Sequence, residues 1–212
     1  MNKKRSNKHD LLKIIGIVAM AIDHVGWVFF PQYSIFQKIG RLAMPIFCSG
    51  VALGYQKTSN FKKYFSTLIF FGVISQFPFD LLWTFDKINI IINLALGLIF
   101  IHLIEKRKYL LAFIPLFLSS FLIIEYQWLI PVIILIFYKF NKNKWAAFGL
   151  LFLATFLYMQ TNNYPIQWYS LMGFALILFL PEIKWEFSLN KYFFYLFYPI
   201  HLLVLYLLSI LF

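Results

Sequence analysis

The feature that most constrains this chain is a succession of long apolar stretches separated by short polar segments. A helix crosses about 30 Å of hydrocarbon with roughly 17–25 mostly apolar residues, and shorter helices are tolerated where the bilayer thins. Nine stretches fit this requirement, and the sixth and seventh are short. They are 11–30, 39–55, 63–83, 88–105, 108–124, 126–139, 144–159, 165–181 and 192–210. The sequence therefore predicts an all-α, polytopic transmembrane helical bundle of about nine spans, with eight or ten as alternatives.

The composition also indicates that lipid surrounds this chain. Of 212 residues, 62% are hydrophobic and 13% are charged, whereas soluble domains have roughly 45–50% apolar and about 25% charged residues. No polar block is longer than a loop, so we predict one integral-membrane domain over residues 1–212, with residues 1–9 as a basic cytoplasmic tail. The single cysteine, Cys48, excludes a disulfide framework within the chain. The expected location is the cell membrane.

The basic residues predict the orientation, because short loops rich in Lys and Arg stay on the cytoplasmic side. Nine spans with the N-terminus in the cytoplasm and the C-terminus outside place sixteen of the nineteen basic residues on the cytoplasmic side. Only Lys38, Arg41 and Lys87 fall on the outer side. Orientation thus accounts for the net charge of +11, and we expect no nucleic-acid partner.

The first predicted span holds two ionisable residues well inside it, Asp23 and His24, and the ninth holds His201 near its middle. Such residues cost several kcal/mol in hydrocarbon, so they normally face the bundle interior and have a partner or a function. Both spans run outward, which places His24 and His201 at similar depth, where they could share one pocket. Asp23 lies 100° around the helix from His24, so we expect it to pair with a basic group on another helix.

Lys13 precedes His24 by eleven residues, which corresponds to three helical turns plus about 20° and a rise of roughly 16 Å. One helix face therefore carries both side chains. A cation near the cytoplasm, aligned with a deeper imidazole, suits a long anionic ligand such as coenzyme A, although Lys13 alone is also typical of a positive-inside residue. The imidazole suits general-base chemistry, because its unperturbed pKa lies near neutrality.

Three further polar residues lie toward the outer side: Arg41 opens span 2, Asp80 closes span 3, and Asn93 follows early in span 4. Arg41 and Asp80 either extend toward the outer headgroups, or Arg41 pairs with an aspartate and shapes the roof of a pocket. His102, one turn from Glu105 at the cytoplasmic interface, is expected to be structural. Phosphate-loop, zinc-protease and Cys-His metal motifs are missing from the sequence, so we expect neither a metal nor ATP chemistry.

A combination of short motifs resembles the TraX family, which is named for the membrane enzyme that acetylates the N-terminus of F-type conjugative pilin. The matching segments are Leu12–Ile14, Ile22–Gly26, Ile39–Phe47, Asn60–Tyr64, Ser75–Asp80, Asn93–Gly97 and Tyr195–His201. The TraX family is similar in turn to the acyltransferase-3 superfamily. The resemblance implies acetyl-CoA as donor, His24 as catalytic base and Lys13 as a coenzyme A contact. The superfamily commonly has arginine at this position, and a lysine contacts phosphate only as a point charge.

The leading hypothesis is a membrane-bound O- or N-acyltransferase that moves an acetyl group from cytoplasmic acetyl-CoA to a peptide, glycan or lipid acceptor. His24 would be the base, with Asp23 beside it, and the remaining pocket residues would be Arg41, Asp80, Asn93 and His201. Two alternatives use the same residues differently. A small proton-coupled transporter would employ Asp23 and His24 as a relay, and a membrane assembly protein would have no catalytic role.

Overall fold

The computed structural model of the protein describes residues 7–83, 87–183 and 190–211. In these ranges the chain forms α-helices, one 3-10 helix at Pro165–Tyr169, and an isolated bridge between Ile88 and Ile124. The helices are α1 (Asn7–Phe29), α2 (Ser34–Gly40), α3 (Ala43–Lys57), α4 (Phe61–Trp83), α5 (Ile90–Glu105), α6 (Tyr109–Phe121), α7 (Leu129–Lys139), α8 (Lys144–Asn162), α9 (Ser170–Phe179) and α10 (Lys191–Leu211). The all-α prediction is confirmed, and every helix overlaps one of the nine predicted stretches, although the seven-residue α2 does so only at Ile39 and Gly40.

Several helices are apolar enough for a membrane. In the part of the chain that the structure describes, three helices have the length and composition to cross one: Lys8–Phe29, Phe61–Trp83 and Tyr192–Leu211. Shorter apolar helices lie at Ile90–Glu105, Tyr109–Phe121, Leu129–Lys139 and Pro165–Phe179. The outward faces are apolar too, since Leu110 is 86% exposed and Phe77 67% exposed. A water-facing surface of this kind would be unfavourable, so the architecture is that of a multi-pass membrane protein.

The helices differ from the predicted stretches at four places. The first helix begins at Asn7 and takes up the last three residues of the expected tail, whereas residues 1–6 and Lys184 lie outside the described ranges. A short helix, α2, precedes the predicted second span, and the chain turns at Arg41–Leu42 before α3 begins. Residues 122–128, predicted as span ends, form an irregular loop between α6 and α7. The predicted eighth span starts as the 3-10 helix at Pro165–Tyr169.

The centre of the bundle is the contact between α5 and α7. Leu98 and Ile101 of α5 and Ile130 and Ile134 of α7 are completely buried. A methyl group on Gly97 would overlap Ile134, so the missing side chain allows the two helices to approach closely. Small residues at such contacts are the usual means of packing helices in lipid, where association depends on van der Waals contact.

The first helix packs against α2, α3 and α10. Its start is fixed by Lys8, whose Nζ donates a hydrogen bond to the carbonyl of Leu180, just after α9, at 2.6 Å. This packing brings residues from the two ends of the chain together, and α10 also packs against α4. The polar residues of the first predicted span therefore lie beside those of the last.

Candidate functional site

A cavity of about 530 Å³ lies at the C-terminal half of α1. Helix α1 contributes Asp23, His24 and Trp27 to its lining, and the loop between α6 and α7 covers it with residues 122–127. Aromatic rings of α4 and α8 and the side chain of Arg41 complete the wall. Ionisable and aromatic side chains thus converge on one hollow, the arrangement expected of a binding site for a small polar group.

His24 and His201 form a hydrogen-bonded pair beside this cavity. His201 Nδ1 lies 2.8 Å from the carbonyl oxygen of Phe197, and because a carbonyl only accepts, this nitrogen carries the proton. Nε2 of the neutral His201 ring is then an acceptor, and His24 Nδ1 donates to it at 2.7 Å. His24 Nε2 therefore keeps its lone pair, and none of the described residues forms a hydrogen bond with it.

The carboxylate of Asp23 is held by Arg41. The Nη2 atom of Arg41 donates to both carboxylate oxygens, at 2.9 and 3.1 Å, and Nη1 donates to the hydroxyl of Tyr126 at 2.7 Å. A Cβ atom on Gly40 would overlap the Asp23 side chain, so the glycine provides room for the pair. The structure therefore shows the Arg41–aspartate pair at the cavity wall, and Arg41 is buried rather than extended to headgroups.

The loop over the cavity is held in an unusual conformation. Tyr126 and Gln127 both have positive φ angles, 59° and 41°, in the left-handed region that non-glycine residues rarely adopt. Asn93 of α5 fixes them, because its amide donates to the carbonyls of Glu125 at 2.7 Å and Gln127 at 2.9 Å. Ser119 in turn donates to the Asn93 side-chain oxygen at 2.7 Å. Asn93 thus positions the loop without lining the cavity.

Glu125 of this loop is a lining residue that the sequence analysis missed. Its carboxylate accepts a hydrogen bond from the backbone amide of Ile90 at 2.9 Å, which joins the loop to the start of α5. The only sequence feature that points to it is its place between two apolar stretches, in Glu125-Tyr126-Gln127. Within the described ranges, no group of three or more His, Cys, Asp or Glu residues is arranged to hold a metal ion.

Asp80 and Lys13 lie away from this cavity. Asp80 accepts a hydrogen bond from Gln76 one turn earlier in α4, at 2.6 Å. The side-chain oxygen of Gln76 in turn accepts a hydrogen bond from the side-chain amide of Asn89 at 2.7 Å. Asp80 therefore belongs to a polar cluster between α4 and α5 rather than to the cavity wall. Lys13 lies toward the other end of α1, where its Nζ is 3.2 Å from Asp10.

Lys13 lines a second cavity, a cleft of about 170 Å³ between α1, α3, α4, α5 and α10. One end of the cleft is formed by residues near the starts of three helices: Lys13 lies in the second turn of α1, and Tyr64 and Phe194 lie in the first turns of α4 and α10. Ile90, the first residue of α5, and Tyr198 mark the other end. The Tyr198 ring lies 6.1 Å from the His24 ring, measured between centroids, so the cleft ends beside the cavity that His24 lines.

Comparison with protein families assigns the chain to one of them. Residues 8–209 match the family described as TraX protein. The chain belongs to the TraX family. It is 28% identical over 228 residues to a protein of Dichelobacter nodosus named probable fimbrial assembly protein FimC, serogroup H1, with 92% of each chain covered. An uncharacterized protein of Rickettsia prowazekii (strain Madrid E) is 35% identical over 101 residues, which are 47% of this chain and 39% of that protein. No solved structure matches the chain.

The motif residues behind the TraX resemblance meet at the His24 end of the bundle or beside the cleft. Asp23, His24 and Arg41 line the cavity, His201 orients His24, and Asn93 holds the loop above them. Segments far apart in the chain thus assemble one environment, in which an ion pair fixes the wall and an imidazole faces the hollow.

Proposed function

We propose that this TraX family protein is a membrane acyltransferase that transfers an acetyl group from acetyl-CoA to an amine or hydroxyl of its acceptor. The observation that carries the proposal is the position of His24. One nitrogen of its ring is hydrogen-bonded to His201, the other has a lone pair, and the ring lines the cavity at the point where the cleft ends beside it. A base in that place can reach both a donor and an acceptor.

The cleft suits the arm of the donor. It is narrow and mostly apolar, with the cation of Lys13 at one end and Tyr198 at the other, which matches a slender chain with a thioester at its tip and phosphates at its base. The carboxylate of Asp10 forms an ion pair with Lys13 and offsets part of its positive charge, so phosphate binding also needs other cations. Lys57, at the end of α3, and Lys62 and Lys63, at the start of α4, are exposed and supply them.

The chemistry requires one proton acceptor. His24 Nε2 removes the proton of the acceptor amine or hydroxyl while its nitrogen or oxygen bonds to the thioester carbonyl carbon. The carbon–sulfur bond then breaks, and the departing thiolate takes the proton from His24, which returns the imidazole to its starting form. His201 accepts from Nδ1 throughout, fixes the ring and stabilises the transient imidazolium. The Asp23–Arg41 pair shapes the wall and exchanges no proton.

We further propose nine spans, with the N-terminus cytoplasmic and the C-terminus outside. In this orientation Lys13 faces the cytoplasm, where acetyl-CoA is found, and the cavity beneath the α6–α7 loop opens toward the outer half of the membrane. The relative named as a fimbrial assembly protein favours a peptide acceptor, the N-terminus of a fibre subunit. The test below compares peptide acceptors with glycan and lipid acceptors.

The test uses the purified full chain in lipid nanodiscs with acetyl-CoA, and measures release of the free thiol with and without peptide, glycan or lipid acceptors. We expect acceptor-dependent release from the wild type and its loss in His24→Ala, because general-base catalysis typically contributes 10²–10⁴-fold. His102→Ala is the matched control, since His102 bonds Tyr55 at 3.0 Å away from both cavities. Wild-type protein without thiol release, or a fully active His24→Ala variant, contradicts the proposal.

A further inference from the structure

Tyr198 occupies the boundary between the cleft and the cavity. It lies on α10, three residues before His201, and is only 4% exposed. Its ring lies edge-on to His24, at 6.1 Å between centroids, and edge-on to His201, at 5.5 Å. The same residue lines the cleft whose other end holds Lys13. Any group that travels along the cleft toward His24 therefore meets Tyr198.

The hydroxyl of Tyr198 is buried and has no hydrogen-bond partner among the described residues. Leaving such a group unpaired costs about 1–3 kcal/mol, and a phenylalanine would fill the same space without this cost. Three of the four imidazole nitrogens nearby cannot relieve it, because His24 Nδ1, His201 Nε2 and His201 Nδ1 are engaged with one another and with the Phe197 carbonyl. The fourth, His24 Nε2, has a lone pair, but the Tyr198 hydroxyl does not bond to it in the structure. The unpaired donor thus has no structural use in the protein alone.

The expected ligand of such a donor is an oxygen that gains negative charge. Unpaired, desolvated donors are effective stabilisers of an oxyanion, because they need no rearrangement when the charge appears. The reacting carbonyl must come within reach of His24 from the cleft, and Tyr198 is the cleft residue whose ring contacts His24.

We propose that the Tyr198 hydroxyl donates a hydrogen bond to the acyl carbonyl oxygen of the thioester and stabilises the oxyanion formed during transfer. This inference rests on the acyltransferase function proposed above. As the acceptor's lone pair bonds to the carbonyl carbon, the π electrons of the carbonyl move onto its oxygen, where Tyr198 donates. They return as the carbon–sulfur bond breaks. Tyr198 keeps its proton throughout, and His24 carries the only proton that moves.

Tyr198→Phe tests this role because it removes the hydroxyl alone. Loss of one such donor typically lowers kcat by about 10²–10³-fold, and we expect that fall with KM for acetyl-CoA changed less than threefold. Thermal stability should stay the same or rise, since an unpaired buried hydroxyl disappears. Tyr206→Phe, eight residues further along α10 and outside both cavities, is the matched control and should keep the wild-type kcat.

The results separate this inference from the proposed function. An active wild type with Tyr198→Phe equally active overturns the role of the hydroxyl and leaves the acyltransferase proposal intact. If Tyr198→Phe lowers both kcat and the thermal stability of the protein, Tyr198 acts through packing, and this result also overturns the inference. A wild type without thiol release overturns the proposed function and the inference together.

A second measurement needs no turnover. In the His24→Ala background, acetyl-CoA labelled with ¹³C at its carbonyl should show a carbonyl infrared band at lower frequency when bound than in solution. The band should lie at higher frequency in His24→Ala/Tyr198→Phe, where the carbonyl has lost this donor. An identical band in the two variants would refute the hydrogen bond.

Discussion

Removing the charge of Asp23 should destabilise the bundle strongly, because it leaves the guanidinium of Arg41 without its counter-ion. The side chain of Arg41 is 5% exposed and that of Asp23 is 11% exposed, and 2.9 Å separates Arg41 Nη2 from Asp23 Oδ2. Unit charges about 3 Å apart attract by roughly 5–6 kcal/mol at an effective dielectric constant near 20. Desolvation offsets part of this, and breaking a buried pair typically costs about 3–5 kcal/mol. We expect that loss in the free energy of unfolding for Asp23→Asn.

A double-mutant cycle isolates the pair from other effects of the substitutions. Asp23→Asn, Arg41→Met and the double variant would be unfolded in lipid bicelles by steric trapping, which measures the free energy of unfolding in lipid. Since the double variant has neither charge, it should be more stable than the sum of the single losses predicts, by at least about 2 kcal/mol.

An exposed ion pair in the same protein provides the matched control. Glu105 and Lys139 lie 3.2 Å apart with both side chains 45% exposed, and surface pairs contribute at most about 1 kcal/mol. Glu105→Gln should therefore lower the free energy of unfolding by no more than that. Additive losses for Asp23 and Arg41 within about 0.5 kcal/mol, or an Asp23→Asn variant as stable as Glu105→Gln, would refute the coupling.

Two further predictions concern the donor cleft and the orientation. Gly50 lines the cleft and a Cβ atom there meets nothing within 4 Å, so Gly50→Leu should raise KM for acetyl-CoA at least tenfold without unfolding the protein. Gly149→Leu is the control, because Gly149 on α8 is equally open, and this variant should leave the KM unchanged. A Gly50→Leu variant with the same KM as Gly149→Leu would argue against the cleft as donor site. The orientation is tested by labelling two cysteine variants with an impermeant maleimide. Asn163→Cys should react on intact cells, whereas Ser59→Cys should react only after permeabilisation. The reverse pattern would refute the orientation.

The positions of the helices followed largely from the sequence. Hydrocarbon excludes unpaired backbone groups, so each apolar stretch of sufficient length is helical whatever its neighbours are. The predicted limits failed where a side chain from elsewhere competes for the backbone. Residues 122–128 form a loop because the amide of Asn93 binds the carbonyls of Glu125 and Gln127, and hydropathy contains no information about that contact.

The ionisable residues divide in the same way. The cost of a charge in lipid and the 100° between Asp23 and His24 were enough to predict that Asp23 needs a basic partner on another helix. The common direction of the first and ninth spans was enough to predict that His24 and His201 lie at similar depth. Which partner Asp23 has, the 2.7 Å contact between His24 and His201, and the unpaired hydroxyl of Tyr198 were decided by tertiary structure alone. The place of a residue within its apolar stretch sets its depth in the membrane, whereas the rotation of each helix about its axis depends on the packing of all its neighbours.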